Sequence, residues 1–325
     1  MQSTTYAEDL RTLANDIDPS STDALTSSVN EMMQAGDRPS QQQLEAMVIH
    51  LADARGMARL GLVEAFGKIG SVAVPPLLEG LSCCPNPVVR RSCGKALAKI
   101  GDSTATGPLL LALVHDEDTV ARSSAAGALA RMGSVAVTQL LDLISNPDVG
   151  MTAKGHAAWA IAYMQGDASE TLFESLRHPN TDVRIAVVSA LGAVAIGDAL
   201  PMMGATSDDD WSEGDAEKAG MRERALKAIS LALNDESPEV RAEAATALAN
   251  AGCVNEVKRI AIMLTDDDSE LRRCAALALM KLGDISVIEH LREREMDKSE
   301  VDSVRSVARL AANTLERSTI DDDWA

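Results

Sequence analysis

Residues 86–102 read NPVVRRSCGKALAKIGD, and residues 118–133 read DTVARSSAAGALARMG. The two runs align on Arg90 and Arg122, and again on Gly101 and Gly133. Further copies are ARLGLVEAFGKIG (58–70), AKGHAAWAIAYMQ (153–165), VRIAVVSALGAVA (183–195), VRAEAATALANAG (240–252), LRRCAALALMKLG (271–283) and a degenerate VRSVARLAANTLE (304–316). Their anchors are Arg59, Arg90, Arg122, Lys154, Arg184, Arg241, Arg272 and Arg305, mostly 30 to 33 residues apart. Only the step from Arg184 to Arg241 approaches two periods. A period of this length marks a repeat architecture.

Counted from the anchor as zero, positions 3, 4, 7 and 10 are apolar or small. Position 6 is alanine, as at Ala65, Ala96, Ala128, Ala190 and Ala247. That is a helical period and not a strand period. The glycine at position 11 closes the helix, because glycine enters the left-handed conformation without steric cost. Each copy follows another apolar segment, such as VPPLLEGL, GPLLLALV, VTQLLDLI or LKAISLAL. Turn-rich links (CPNP, HDED, SNPD, HPNTD, NDESP) join the two,. Each repeat is therefore a pair of antiparallel helices. One pair cannot bury its own apolar face, but a stack can. The predicted fold is all-α, a right-handed α-solenoid of about eight helix pairs over residues 39–320. Residues 1–38 form an N-terminal helical cap, with TYAEDLRTLANDI and ALTSSVNEMMQAG as its helices. Residues 204–220 read as an acidic surface loop around Trp211, and 321–325 as a loose tail.

Composition narrows the function. The chain has 325 residues, a formal charge of −19 and only 2% aromatics. Nucleic-acid affinity comes largely from neutralised phosphates, so nucleic acid is not the expected partner. The first 20 residues lack a basic and then apolar export signal, and no run of 18 apolar residues is present, so a cytoplasmic protein without membrane insertion is expected. Five cysteines without a CxxC pair read as free thiols in a reducing compartment,. No HExxH, phosphate loop or nucleophile triad is evident, and no metal is expected.

The repeat register also shows which residues are free to act. Positions 2, 5 and 9 lie opposite the packed face. In solenoids of helix pairs the second helix lines the concave surface, so these positions would form a groove floor. They are Gly61, Glu64 and Lys68; Ser92, Lys95 and Lys99; Ser124, Gly127 and Arg131; His156, Trp159 and Tyr163; then Ala186, Ser189 and Ala193. An acidic protein thus gathers Lys68, Lys95, Lys99 and Arg131 into one stripe that runs into His156, Trp159 and Tyr163. Small neighbours (Gly127, Ser124, Ala186, Ser189) leave room for something flat. Such a floor suits an anionic, conjugated ligand or the acidic segment of a partner. Exposed cations are also commonly just solvated, and aromatics on inner helices often pack on the next repeat.

The motifs NPVVRRSCGKALAKIGD, DTVARSSAAGALARMG and NTDVRIAVVSALGAVAIGD (180–198) resemble the HEAT-like repeat of the E/F-type phycobilin lyases of cyanobacteria, over most of residues 45–315. The run KGHAAWAIAYM (154–164) beside the basic stripe is similar to that clan too, and members acting as one chain on phycoerythrin are nearest in size. The resemblance implies a lyase with no permanently bound cofactor. Its substrate would be a linear tetrapyrrole such as phycoerythrobilin, which it delivers to a cysteine of a phycobiliprotein α or β subunit as a thioether. Some members also isomerise the bilin. The nucleophile belongs to the acceptor, so the missing triad is expected. With that ligand, the groove places Lys95, Lys99 and Arg131 on the propionates and Trp159 and Tyr163 against the rings. His156 is then the proton donor or acceptor, and Glu64 a second acid. Relatives in the same clan look like chaperones for biliproteins or factors in phycobilisome breakdown. A non-catalytic interaction protein is thus the alternative.

Overall fold

The computed structural model describes residues 18–164, 169–196 and 215–322, together with Tyr6, Glu8 and Leu10. The helices are α1 (Pro19–Gln34), α2 (Gln41–His50), α3 (Gly56–Ile69), α4 (Val74–Cys83), α5 (Pro87–Ile100), α6 (Thr106–His115), α7 (Thr119–Arg131), α8 (Ser134–Ser145) and α9 (Met151–Ala162). They continue as α10 (Ser169–Ser175), α11 (Thr181–Ile196), α12 (Asp215–Ala232), α13 (Pro238–Asn250), α14 (Val257–Ile262), α15 (Ser269–Leu282), α16 (Ile288–Met296) and α17 (Asp302–Asp322). No strand occurs among the described residues. Consecutive helices pack as antiparallel pairs, α4 on α5, α6 on α7, α8 on α9, α12 on α13, α14 on α15 and α16 on α17, the all-α solenoid architecture the periodicity required.

Three boundaries differ from the sequence reading. The chain divides into two compact units, Met1–Thr171 and Leu172–Ala325, a division the expected solenoid over 39–320, with its acidic insertion at 204–220, did not include. Residues 215–220, assigned to the acidic loop, begin α12, and Trp211 lies outside the described residues. The run DAEKAGMRER has no apolar stripe of its own, which is why it read as loop. Finally, α17 continues through Asp322, two residues into the expected tail.

Within the first unit, the second helices lie side by side: α3 on α5, α5 on α7, and α7 on α9. The second unit repeats the arrangement with α11 on α13, α13 on α15, and α15 on α17. The alanines at position 6 make this approach possible. Ala96, Ala128, Ala160 and Ala190 are fully buried, and Leu97 and Leu129 beside them fill the core. Side chains of Asn86, Asp118 and Asp268 cap α5, α7 and α15 by accepting backbone N–H bonds of the first turn,. At the other end, Gly101 (φ 70°) and Gly283 (φ 75°) adopt the left-handed turn,. Residues 56–83 include an 18-residue window of mean hydropathy 1.2, but Gly70 at φ 79° ends α3 there and divides the stretch into two helices.

The anchor arginines explain the register. Arg90 donates from Nη1 to the carbonyls of Cys84 and Pro85, which close the preceding turn. Its Nε and Nη2 reach both carboxylate oxygens of Asp116, 2.8 and 2.7 Å away, in the turn of the next repeat. Arg184 repeats this with the carbonyls of His178 and Pro179 and the carboxylate of Asp235. Arg272 does so with the carbonyls of Asp266 and Asp267 and the carboxylate of Glu300. Arg241 holds the Asp235 and Glu236 carbonyls and Asp266. Each bond set ties a turn to its own helix and then to the neighbouring repeat.

Removing one partner of a buried pair leaves a charge without compensation, at roughly 3–5 kcal/mol. The Glu300 side chain is 2% exposed beneath Arg272. Arg272→Ala is therefore expected to cost about 3 kcal/mol in urea denaturation. Lys99→Ala, which breaks an exposed pair, should cost less than about 1 kcal/mol. Arg272 also holds the Glu300 carboxyl below its ordinary value of 4.5. The folded state then gains stability that is complete above that value and is lost as pH falls through the lowered one. Acid unfolding profiles should show a shallower loss of stability below pH 4.5 in Glu300→Gln than in the parent,.

Candidate functional site

The exposed side of α3, α5, α7 and α9 carries Glu64, Lys68, Lys95, Lys99, Arg131, His156, Trp159 and Tyr163, all within the first unit. Lys68, Lys95, Lys99 and Arg131 are exposed, Glu64 and Tyr163 are half-buried, and Trp159 is 38% exposed. Ser92 and the three positions of the fifth copy, Ala186, Ser189 and Ala193, were expected on the floor and are not part of this face. Ser92 is buried, with its hydroxyl donating 2.8 Å to the Val88 carbonyl. A Cβ at Gly94 would meet Ser124 at 3.5 Å, an ordinary packing contact between α5 and α7. Ala186 is also buried, and it belongs to the second unit.

The cations are not equivalent. Lys99 crosses to α3 and pairs with Glu64, both side chains more than a third exposed. Gly67 makes the crossing possible, because a Cβ there would lie 2.6 Å from Lys99 Cγ. Arg131 reaches back to α5, donating from Nε to the Ala98 carbonyl at 3.3 Å. Lys68 and Lys95 make no ion pair among the described residues. The face thus presents four cations and one carboxylate. An exposed pair such as Lys99–Glu64 contributes only about 0–1 kcal/mol, so an incoming anion can replace Glu64 at little cost.

At the end of the stripe, the rings of Trp159 and Tyr163 lie 4.5 Å apart at 31°, a tilted stack. Gly127 and Gly155 have no atom within 4 Å of where a Cβ would stand, so the surface beside the stack is open. His156 sits behind it on α9, and its Nε2 lies 3.2 Å from the Ser123 hydroxyl of α7. Burial first, and then the Arg122 charge, push the imidazole below its ordinary value of 6.5, with the Thr152 backbone opposing in part. The ring is therefore neutral near pH 7 and able to accept a proton.

The structure brings Glu64 and Lys99 together, and likewise Trp159 and Tyr163, while His156 faces Ser123. Sequence reasoning missed Ser123, Gly67 and Arg122. Ser123 and Gly67 stand at positions 1 and 8, beside the three positions read as floor. Arg122 was read only as a repeat anchor. Two open clefts lie in the second unit, one of about 470 Å³ beside Arg241 and Arg259 and one of about 330 Å³ beside Glu243 and Cys274. Neither is lined by any of the predicted site residues.

Comparison with known proteins matches the HEAT repeats family over residues 74–154 and 225–313. A stretch of 83 residues is 34% identical to the bilin biosynthesis protein MpeU of Synechococcus sp. (strain WH8020). That stretch is 25% of this chain, and the chain spans only 28% of that relative's length. Among solved structures, the CpcE and CpcF complex of phycocyanin lyase from Nostoc sp. PCC7120 is similar at 21% identity and a TM-score of 0.38, covering 55% of this chain and 99% of that one. Importin beta is similar at 14% identity and a TM-score of 0.48, covering 93% and 43%.

The surroundings of His156 give a direct test. Its imidazole should titrate with a midpoint below 6.5 when followed by NMR. Arg122→Gln removes a repelling charge and should move that midpoint upward. A midpoint at or above 6.5 in the parent would show that His156 is solvated and not half-buried.

Proposed function

We propose that this chain, which belongs to the HEAT-repeat family, is a phycobilin lyase that binds a linear tetrapyrrole on the exposed face of α3, α5, α7 and α9 and delivers it to a cysteine of a phycobiliprotein. The observation that carries the reading is the stacked Trp159–Tyr163 pair at the end of a cationic stripe, on an otherwise acidic chain. Similarity to a bilin biosynthesis protein over 83 residues supports it.

The chemistry follows from the groups present. A bilin is flat, conjugated and carries two propionates. The part-exposed indole of Trp159 offers its rings a surface for aromatic contact,. Lys95, Lys99 and Arg131 offer the propionates charge-assisted hydrogen bonds, with Glu64 giving up Lys99 on binding. In the transfer, the acceptor thiol adds across the ring A ethylidene double bond. The sulfur bonds to one carbon, the other end of the double bond gains a proton, and no electron acceptor is needed. His156, neutral near pH 7, takes the thiol proton or returns one to the tetrapyrrole, and Glu64 serves as the second acid. Most of the acceleration comes from holding the ethylidene and the thiol together. Phycoerythrobilin is the bilin this reading favours, and a phycoerythrin α or β subunit the acceptor. Isomerisation during transfer requires the same proton traffic.

Co-expression with phycoerythrobilin and apo-phycobiliprotein subunits should yield a covalently coloured, fluorescent subunit. Trp159→Ala, and Lys99→Ala combined with Arg131→Ala, should each lower the yield by at least about ten-fold, the effect of losing one stacking or charge-assisted contact. Full binding and transfer by both variants would place the site elsewhere. Stabilised but colourless subunits would favour a chaperone.

A further inference from the structure

Four anchor arginines hold a carboxylate of the next repeat: Arg90 with Asp116, Arg184 with Asp235, Arg241 with Asp266, and Arg272 with Glu300. Arg122 does not. Its Nη1 donates 2.7 Å to the Asp116 carbonyl, as the register requires, but its Nε is buried and makes no hydrogen bond. The cause lies in the following turn. In the regular repeats, the ladder carboxylate also accepts the backbone N–H two residues on, as Asp116 does from Asp118 and Asp266 from Asp268. In the fourth repeat that role falls to Asn146, which accepts from the Asp148 N–H at 2.9 Å. Asn146 is a neutral amide, and the exposed Asp148 makes no ion pair with Arg122.

The gap opens against the candidate site. His156 lies against the neighbouring Ser123, and its Nδ1 is the second buried polar atom here without a hydrogen bond of normal geometry. A buried donor left without a partner costs about 1–3 kcal/mol, so the Arg122 Nε–H calls for an occupant,. Beside them the surface is open at Gly155, and Met151 is 82% exposed.

Resting on the bilin-binding reading, we propose that Arg122 is a carboxylate-binding position of the site. One propionate of the tetrapyrrole takes the place of the missing ladder carboxylate, between α7 and α9. The bound carboxylate accepts from the guanidinium as Asp116 accepts from Arg90. The propionate-bearing middle of the ligand is thereby fixed beside His156, while Lys95, Lys99 and Arg131 remain for the other propionate. A neutral ligand of the same shape would gain nothing from Arg122.

The test compares phycoerythrobilin with its dimethyl ester by absorbance titration, on the parent protein and on Arg122→Gln. The proposal expects the variant to bind the free acid roughly ten-fold more weakly and the ester unchanged, the size of one lost charge-assisted hydrogen bond. In the parent, the NMR signal of the Arg122 Nε–H should shift with the free acid and not with the ester. This second readout holds even if the variant fails to fold. Equal affinity of variant and parent for the free acid, or an unmoved Arg122 signal, would overturn this inference and leave the bilin reading standing. A parent that binds neither compound would overturn both.

Discussion

The anchor arginines, present in seven of the eight copies, set the terms for the rest of this structure. A helix pair with small apolar side chains cannot hold its own turn, because the carbonyls that end the first helix have no partner. The anchor arginine donates to those carbonyls from one nitrogen and to a carboxylate of the next turn from the others. Its planar fork does both without bending, which a lysine could not. The carboxylates are nearly enclosed, with Asp116 at 4% and Glu300 at 2% side-chain exposure. Each link is therefore costly to break, and each fixes one repeat against its neighbour. Burial of alanine at position 6 then brings the second helices close enough to share a face.

This explains why the fold was legible in the sequence. Arginine, alanine and glycine at fixed offsets are the ladder, the close helix contact and the left-handed stop. Any one of them fixes the helix register, and through it the exposed positions. Departures came where the signal is not periodic. Residues 215–220 carry no apolar stripe, so the start of α12 read as loop. The division into two units after Thr171 has no repeat signature, because the fourth and fifth copies keep their helical pattern on both sides of it.

The candidate site was only partly legible. Period alone selects the exposed face, and Lys95, Lys99, Arg131 and Trp159 lie on it as expected. Period does not say how close two helices come, and so the role of Gly67 was missed. Nor does it show which charges meet, as Lys99 and Glu64 do across 35 residues. The ladder and the site also proved to be connected. The fourth repeat gives Arg122 no ladder carboxylate among the described residues, and it is also the repeat that holds His156, on which the Arg122 charge acts.

The central claim is that the cationic face of the first unit binds a linear tetrapyrrole. Lysine-reactive footprinting with and without phycoerythrobilin addresses it in the unmodified protein. The account predicts that the bilin slows labelling of Lys95 and Lys99 while leaving Lys258 and Lys281 of the second unit unchanged. Protection confined to the second unit, or none at all, would contradict it.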